Sequence, residues 1–95
     1  MAAYALFIRE SICNQAELVV YTPKAADSMA GHNMTVLAAY GRQEVLEGPP
    51  VEGIVIVEFP SIEEAKAWYE SPAYRDAREH RFRGADYRAV IVEGV

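Results

Sequence analysis

Apolar and polar positions alternate along the chain with two different periods, and the switches between them mark out the elements. Ala3 to Ile8 (Ala-Tyr-Ala-Leu-Phe-Ile) is a short apolar run of strand length. Such a run suits a strand buried on both faces, or one lying in a contact between copies. Leu18, Tyr21, Ala25 and Met29 then recur at spacings of three and four, which predicts a helix. Asn14 is placed to cap it, with Glu17 at the third helical position. Pro23 falls inside this pattern and predicts a kink, or a helix restarted with Pro23 in its first turn. Gly31 ends the helix, and Met34 to Tyr40 reads as a second strand that Gln43 to Leu46 continues after a bend at Gly41. Gly48-Pro49-Pro50 must be a turn, since neither proline can serve a ladder within a sheet.

Gly53 to Phe59 is β-branched and continuous, the pattern of a central strand. It runs into Pro60-Ser61-Ile62-Glu63-Glu64, a capping box in which Ser61 takes a backbone N–H near Glu64 and Glu64 reaches back. Ile62, Ala65, Trp68 and Tyr69 form one apolar face. Ser71-Pro72 stops this helix and starts another, because serine caps and proline suits the first helical position. Ala73, Tyr74 and Ala77 carry an apolar stripe towards Arg81; Gly84 ends it, and Asp86 to Glu93 is the last strand. The order strand, helix, strand, strand, helix, strand predicts a ferredoxin-like α+β fold, βαββαβ, with an antiparallel sheet and its helices on one face. The open sheet face then calls for a second copy, which predicts a homodimer formed through that face.

Ninety-five residues fit one domain spanning 1–95, and a 52 % apolar composition supplies one core with apolar surface left over. The net charge of −5 repels a phosphate backbone and argues against nucleic-acid binding. No apolar stretch is long enough to span a membrane, and the start Met-Ala-Ala-Tyr does not read as a secretory signal, so a cytoplasmic location is expected. Cys13 is the one cysteine and cannot close an internal disulfide; no Cys/His spacing suggests a metal, and no cofactor is expected.

Among candidate functional residues His32 stands first, because imidazole gives and takes a proton near neutral pH and sits here at a helix-to-strand junction. A plain surface-loop histidine is the alternative. Tyr21, Trp68, Tyr69 and Tyr74 all face the sheet on this reading and either fill the core or wall a pocket, their hydroxyls reaching the cavity. Arg75, Arg78 and Arg81, with Arg83 and Arg88 beyond, read as a solvated mixed-charge face alongside Asp76 and Glu79. Arg9 ends a buried-looking strand and needs a partner, either Glu10, Glu58 or a ligand. Cys13 reads as a buried, inert thiol.

Val57-Glu58-Phe59-Pro60-Ser61, Glu64-Ala65, Ala67-Trp68-Tyr69 and Ser71-Pro72-Ala73-Tyr74 resemble the bacterial domain-of-unknown-function family 1330. The stretches Glu44-Val45-Leu46-Glu47-Gly48 and Arg88 to Gly94 are similar to it as well. His32 falls at the family's histidine position, whereas Asn33-Met34-Thr35 replaces the glycines and basic residue found there in the family. The resemblance implies a dimeric α+β barrel, in a superfamily that includes cofactor-independent monooxygenases and lactone isomerases. Two functions are expected on this basis. One is a cofactor-independent enzyme of proton transfer, isomerisation or oxygenation on a small metabolite. There His32 moves a proton, Tyr21 or Tyr69 orients the substrate, and Arg9, Trp68 and Tyr74 complete the binding site. The other is a non-catalytic module that binds a metabolite or a protein.

Overall fold

A computed structural model describes residues 1–95. The elements run β1 (Ala3–Ile12), α1 (Gln15–Asp27), β2 (Thr35–Ala39), β3 (Gly53–Phe59), α2 (Ile62–Tyr69), α3 (Pro72–Gly84) and β4 (Ala85–Glu93). The four strands pair antiparallel in the order β2-β3-β1-β4, which is the ferredoxin-like α+β topology.

The register explains which side chains meet. Ala5 of β1 lies between Val57 of β3 and Ile91 of β4, and Phe7 lies between Val55 and Ala89. Because side chains alternate along a strand, this row points to one face, and Tyr4, Leu6 and Ile8 point to the other. The helices cover the first face. There Phe7, Val57, Phe59, Ala65, Trp68, Tyr74 and Ala77 form the buried core. The second face carries Leu6, Ile54, Ile56, Val90 and Val92, of which Val90 and Val92 are about half exposed. No helix is long and apolar enough to cross a membrane.

Helix ends show where local rules operate and where they yield. Ser61 accepts from the Glu64 N–H and Ser71 from the Tyr74 N–H, with Pro72 opening α3. Only one half of the capping box forms, as Glu64 makes no bond back to the Ser61 N–H. Asn14 occupies the cap position of α1, but its side chain makes no capping bond. Tertiary contacts hold that end instead: the Cys13 and Asn14 N–H groups both donate to the Gly84 carbonyl at 2.9 Å. Helix α1 runs unbroken through Pro23 rather than restarting. The Val19 carbonyl that loses its partner belongs to an exposed turn, open to solvent.

Strand β2 stops at Ala39, and residues 43–46 do not extend it. Tyr40 ends the strand with φ at 57°, a left-handed conformation that a bulky residue seldom adopts. The turn folds its ring over Gly53 on β3, and Gly53 has to be glycine for that ring to fit. A Cβ there would lie 2.5 Å from Tyr40 Cδ1. We expect Gly53→Ala to destabilise the fold by about 1–3 kcal/mol through overpacking. At roughly 4–8 °C per kcal/mol in a chain this small, a thermal melt resolves that loss. An unchanged midpoint would show that the Tyr40 ring moves aside freely.

Candidate functional site

Between α1 and the β2–β3 half of the sheet lies a cavity of about 220 Å³. Tyr21, Ala25 and Met29 come from α1, Met34 and Tyr40 flank β2, Val55 and Val57 form the floor, and Trp68 closes one side. Twelve of its thirteen lining residues are hydrophobic. It is roomy because α1 presents alanines at 25 and 26 where a larger side chain would fill the gap.

Aromatic packing fixes the Trp68 side. The Trp68 and Tyr74 ring centroids are 4.0 Å apart at 33°, and Phe7 meets Trp68 edge-on at 6.1 Å. The indole N–H donates to Ser28 Oγ at 3.2 Å, and Ser28 Oγ donates to the Ala25 carbonyl at 2.6 Å. The buried polar tip of Trp68 is thus satisfied, as burial demands.

Two tyrosine pairs supply polarity. The Tyr21 and Tyr74 hydroxyls share a hydrogen bond of 2.8 Å. The Tyr40 and Tyr87 hydroxyls share another, with the Arg9 guanidinium 4.2 Å above the Tyr40 ring. Arg9 pairs with Glu52 at 2.9 Å, a partner other than Glu10 or Glu58, because the β1–β3 register brings Gly53 opposite Arg9. Burial pushes the Tyr21 hydroxyl far above the ordinary tyrosine range, reinforced by the neighbouring Tyr74. Burial raises Tyr74 as well, and raises Tyr40 with help from its bond to Tyr87. These hydroxyls are neutral donors at physiological pH and not bases.

The sequence candidates scatter. Tyr21 and Trp68 line the cavity. Tyr74 is fully buried behind Tyr21, and Tyr69 packs against the core on the β4 side. His32 is half-buried in the turn before β2 and lies outside the cavity lining. Arg9 stands beside the cavity through its stack on Tyr40. Two readings are corrected. Cys13 is exposed, its thiol donating to the Arg83 carbonyl, because β1 runs four residues beyond Ile8 and carries it to the rim. Arg81 does not belong to a solvated face: it is 3 % exposed, because it occupies the buried register of α3. Reading the sequence also missed Tyr40 and Tyr87, which no local spacing joins, although Gly53 on a strand was a sign of a close approach. No group of three or more His, Cys, Asp or Glu side chains converges anywhere in the chain.

Residues 2–95 match the family described as a domain of unknown function, DUF1330. No curated protein sequence matches the chain. Among solved structures it is similar to a protein of unknown function from Rhodopseudomonas palustris, at 18 % identity and TM-score 0.75, over 99 % of this chain and 82 % of that one. It is similar to a dimeric ferredoxin-like protein of unknown function from Thermobifida fusca, at 13 % identity and TM-score 0.67, over 99 % and 92 % of the two chains. It is also similar to SnoaB from Streptomyces nogalater, a cofactor-independent oxygenase, at 8 % identity and TM-score 0.64, over 99 % and 93 %. These likenesses are of fold.

A raised tyrosine pKa favours folding while the group is neutral. That contribution is complete below the unfolded value near 10 and is lost as pH climbs from there towards the folded value. We therefore expect stability in urea to fall as pH rises above about 10. Tyr21→Phe should flatten that fall. A wild-type stability that stays level through this range would contradict the burial of these hydroxyls.

Proposed function

The chain belongs to the DUF1330 family, and we propose that within this fold it binds a small, flat, mainly apolar organic molecule in the cavity under α1. The observation that carries the reading is the cavity's composition: an almost wholly apolar lining to which Tyr21, a neutral tyrosine, contributes. Sites for small organic ligands have this form, apolar walls with a few polar groups that fix orientation. Trp68 and Met29 supply polarizable surface, while Tyr21 donates to a carbonyl or hydroxyl oxygen.

A catalytic version of this reading is favoured by one feature. Tyr21, backed by Tyr74, is a neutral donor able to stabilise an oxyanion developing on the ligand, as cofactor-independent proton transfer or oxygenation requires. SnoaB, an oxygenase, is built on the same fold. In this version Tyr21 and Tyr40, which line the cavity, supply the donors, and His32 acts only if its turn moves inward.

The test is a thermal-shift screen of planar metabolites on the wild type and on Ala25→Phe, which fills the cavity. A ligand at a hundred times its dissociation constant adds about 2.7 kcal/mol. We expect shifts in the wild type that disappear in Ala25→Phe. Shifts that survive the filled cavity would place binding elsewhere. For any hit, mass spectrometry distinguishes the two versions: a product whose formation slows in Tyr21→Phe at unchanged affinity indicates catalysis, and a compound recovered intact indicates binding alone.

We also propose that the chain is a homodimer through the open sheet face, where Leu6, Ile54, Ile56 and Val90 are left without cover by the chain itself. A contiguous apolar patch of this kind is uncommon on a monomer's surface. Light scattering should give twice the chain mass for the wild type and the single-chain mass for Ile56→Lys. A wild-type monomer at micromolar concentration would reject the proposal.

A further inference from the structure

Arg81 is a buried cation without an anion. Arg9 has Glu52 and Arg78 has Glu70 together with the Tyr69 carbonyl, but no carboxylate pairs with Arg81. Its Nε and Nη2 are buried and have no hydrogen-bond partner. Those two nitrogens form the side-on edge of the guanidinium, the edge that grips a carboxylate through two parallel bonds. The rest of the group is held by aromatic faces. Cζ lies 5.0 Å from the ring centroids of Phe82 and Tyr87 and 5.3 Å from that of Phe7. Cation–π contact accommodates the charge but uses none of the N–H donors on that edge. An interior that holds a fixed positive charge with spare donors is built to receive a negative one.

A hollow of about 340 Å³ opens at this point between α3 and β4, lined by Arg81 with Tyr69, Phe82, Tyr87 and Asp86. It shares no lining residue with the cavity under α1, so the two spaces are separate, although the Tyr40–Tyr87 bond and the Arg81–Phe7 contact join their walls. Phe82 is half exposed although it is a large aromatic on the last turn of α3, and it forms an apolar lip to the hollow. Asp86 stands at the other side and already accepts from Ser11 Oγ at 3.0 Å. Its negative charge disfavours a dianion such as phosphate and leaves room for a single carboxylate.

We propose that this hollow is a binding site for a small aromatic monocarboxylate, its carboxylate against the Arg81 guanidinium and its ring against Tyr69 and Phe82. The ring supplies contact with the exposed lip, and the carboxylate supplies the missing counter-charge. Specificity comes from the same arrangement. A neutral amide of equal shape leaves the charge unbalanced and sets an N–H group against N–H donors.

The experiment is a titration of ¹⁵N-labelled protein with benzoate, phenylacetate and benzamide to millimolar concentration, followed at the Arg81 Nε signal and at the backbone of Ala85 to Ala89. We expect the carboxylates to shift these signals, with benzamide weaker by about tenfold or more. Arg81→Lys keeps the charge but loses the fork, and should weaken benzoate binding; Arg81→Met should abolish its preference over benzamide. Equal binding of benzoate and benzamide to the wild type would overturn the proposal, and so would carboxylates that leave the Arg81 signal unmoved. The wild-type comparison decides the matter even where the Arg81 variants fail to fold.

Discussion

Everything on the helix-covered face is arranged around the Trp68 indole. Its ring packs against Tyr74 from α3 and against Phe7 and Phe59 from the two inner strands, while its N–H is bound by Ser28 beyond the end of α1. One side chain therefore joins all three helices to the sheet. Burying an indole without a partner for its N–H would cost about 1–3 kcal/mol, so the position of Ser28 is as constrained as that of the ring. The same indole lines both the cavity under α1 and a second hollow on the β4 side. The core residue that holds the layers together is thus also a wall of the space between them.

Polar groups on this face obey a consistent rule with one exception. The tyrosine hydroxyls are paired: Tyr21 with the buried Tyr74, and the more exposed Tyr40 with Tyr87. Arg9 is neutralised by Glu52 while it stacks on Tyr40. Holding Tyr40 there requires a left-handed backbone at that residue and a glycine at position 53 beneath its ring. Strained backbone that persists beside a cavity is a familiar mark of a working region. Arg81 is the exception, and its isolation is why the chemistry of the separate hollow between α3 and β4 reads differently from that of the α1-side cavity.

The order of strands and helices was legible because period two and period three-to-four alternate cleanly along the chain, and because Ser61 and Ser71-Pro72 announce their helices by local chemistry alone. Non-local decisions were not legible. Asn14 looks like a capping residue, yet the Gly84 carbonyl, seventy residues on, orders that end through the backbone. Residues 43–46 have strand composition, but Tyr40 turns the chain away from the sheet edge before they can pair. Arg81 is the instructive case. Arg75, Arg78 and Arg81 look like one exposed row, but at about 100° per residue a step of three turns back by about 60°. The row therefore winds from the exposed Arg75 through the partly covered Arg78 into the interior at Arg81. The buried register of α3 is Tyr74, Ala77, Arg81 and Gly84, and within it an arginine occupies a position that calls for an apolar residue. Read as a break in an apolar stripe and not as part of a charged one, Arg81 is visible from sequence.

The alternation within β1 has a consequence for how the two faces communicate. Phe7 and Arg9 project towards the aromatic face, and Leu6 and Ile8 project towards the open face. The Tyr40–Tyr87–Arg9 group and the proposed contact between copies are therefore separated by the thickness of one strand. A neutral tyrosine donor is effective only when its position is fixed, since its benefit to a developing charge depends on needing no reorganisation. A sheet held on one face only is free to twist, and Arg9 and Tyr87 would move with it. Clamping of the second face in the proposed dimer would restrict that twist and hold the Arg9 and Tyr87 ends of the network in register. On this view the proposed self-association would do more than cover apolar surface: it would supply the rigidity that the proposed hydroxyl donors need.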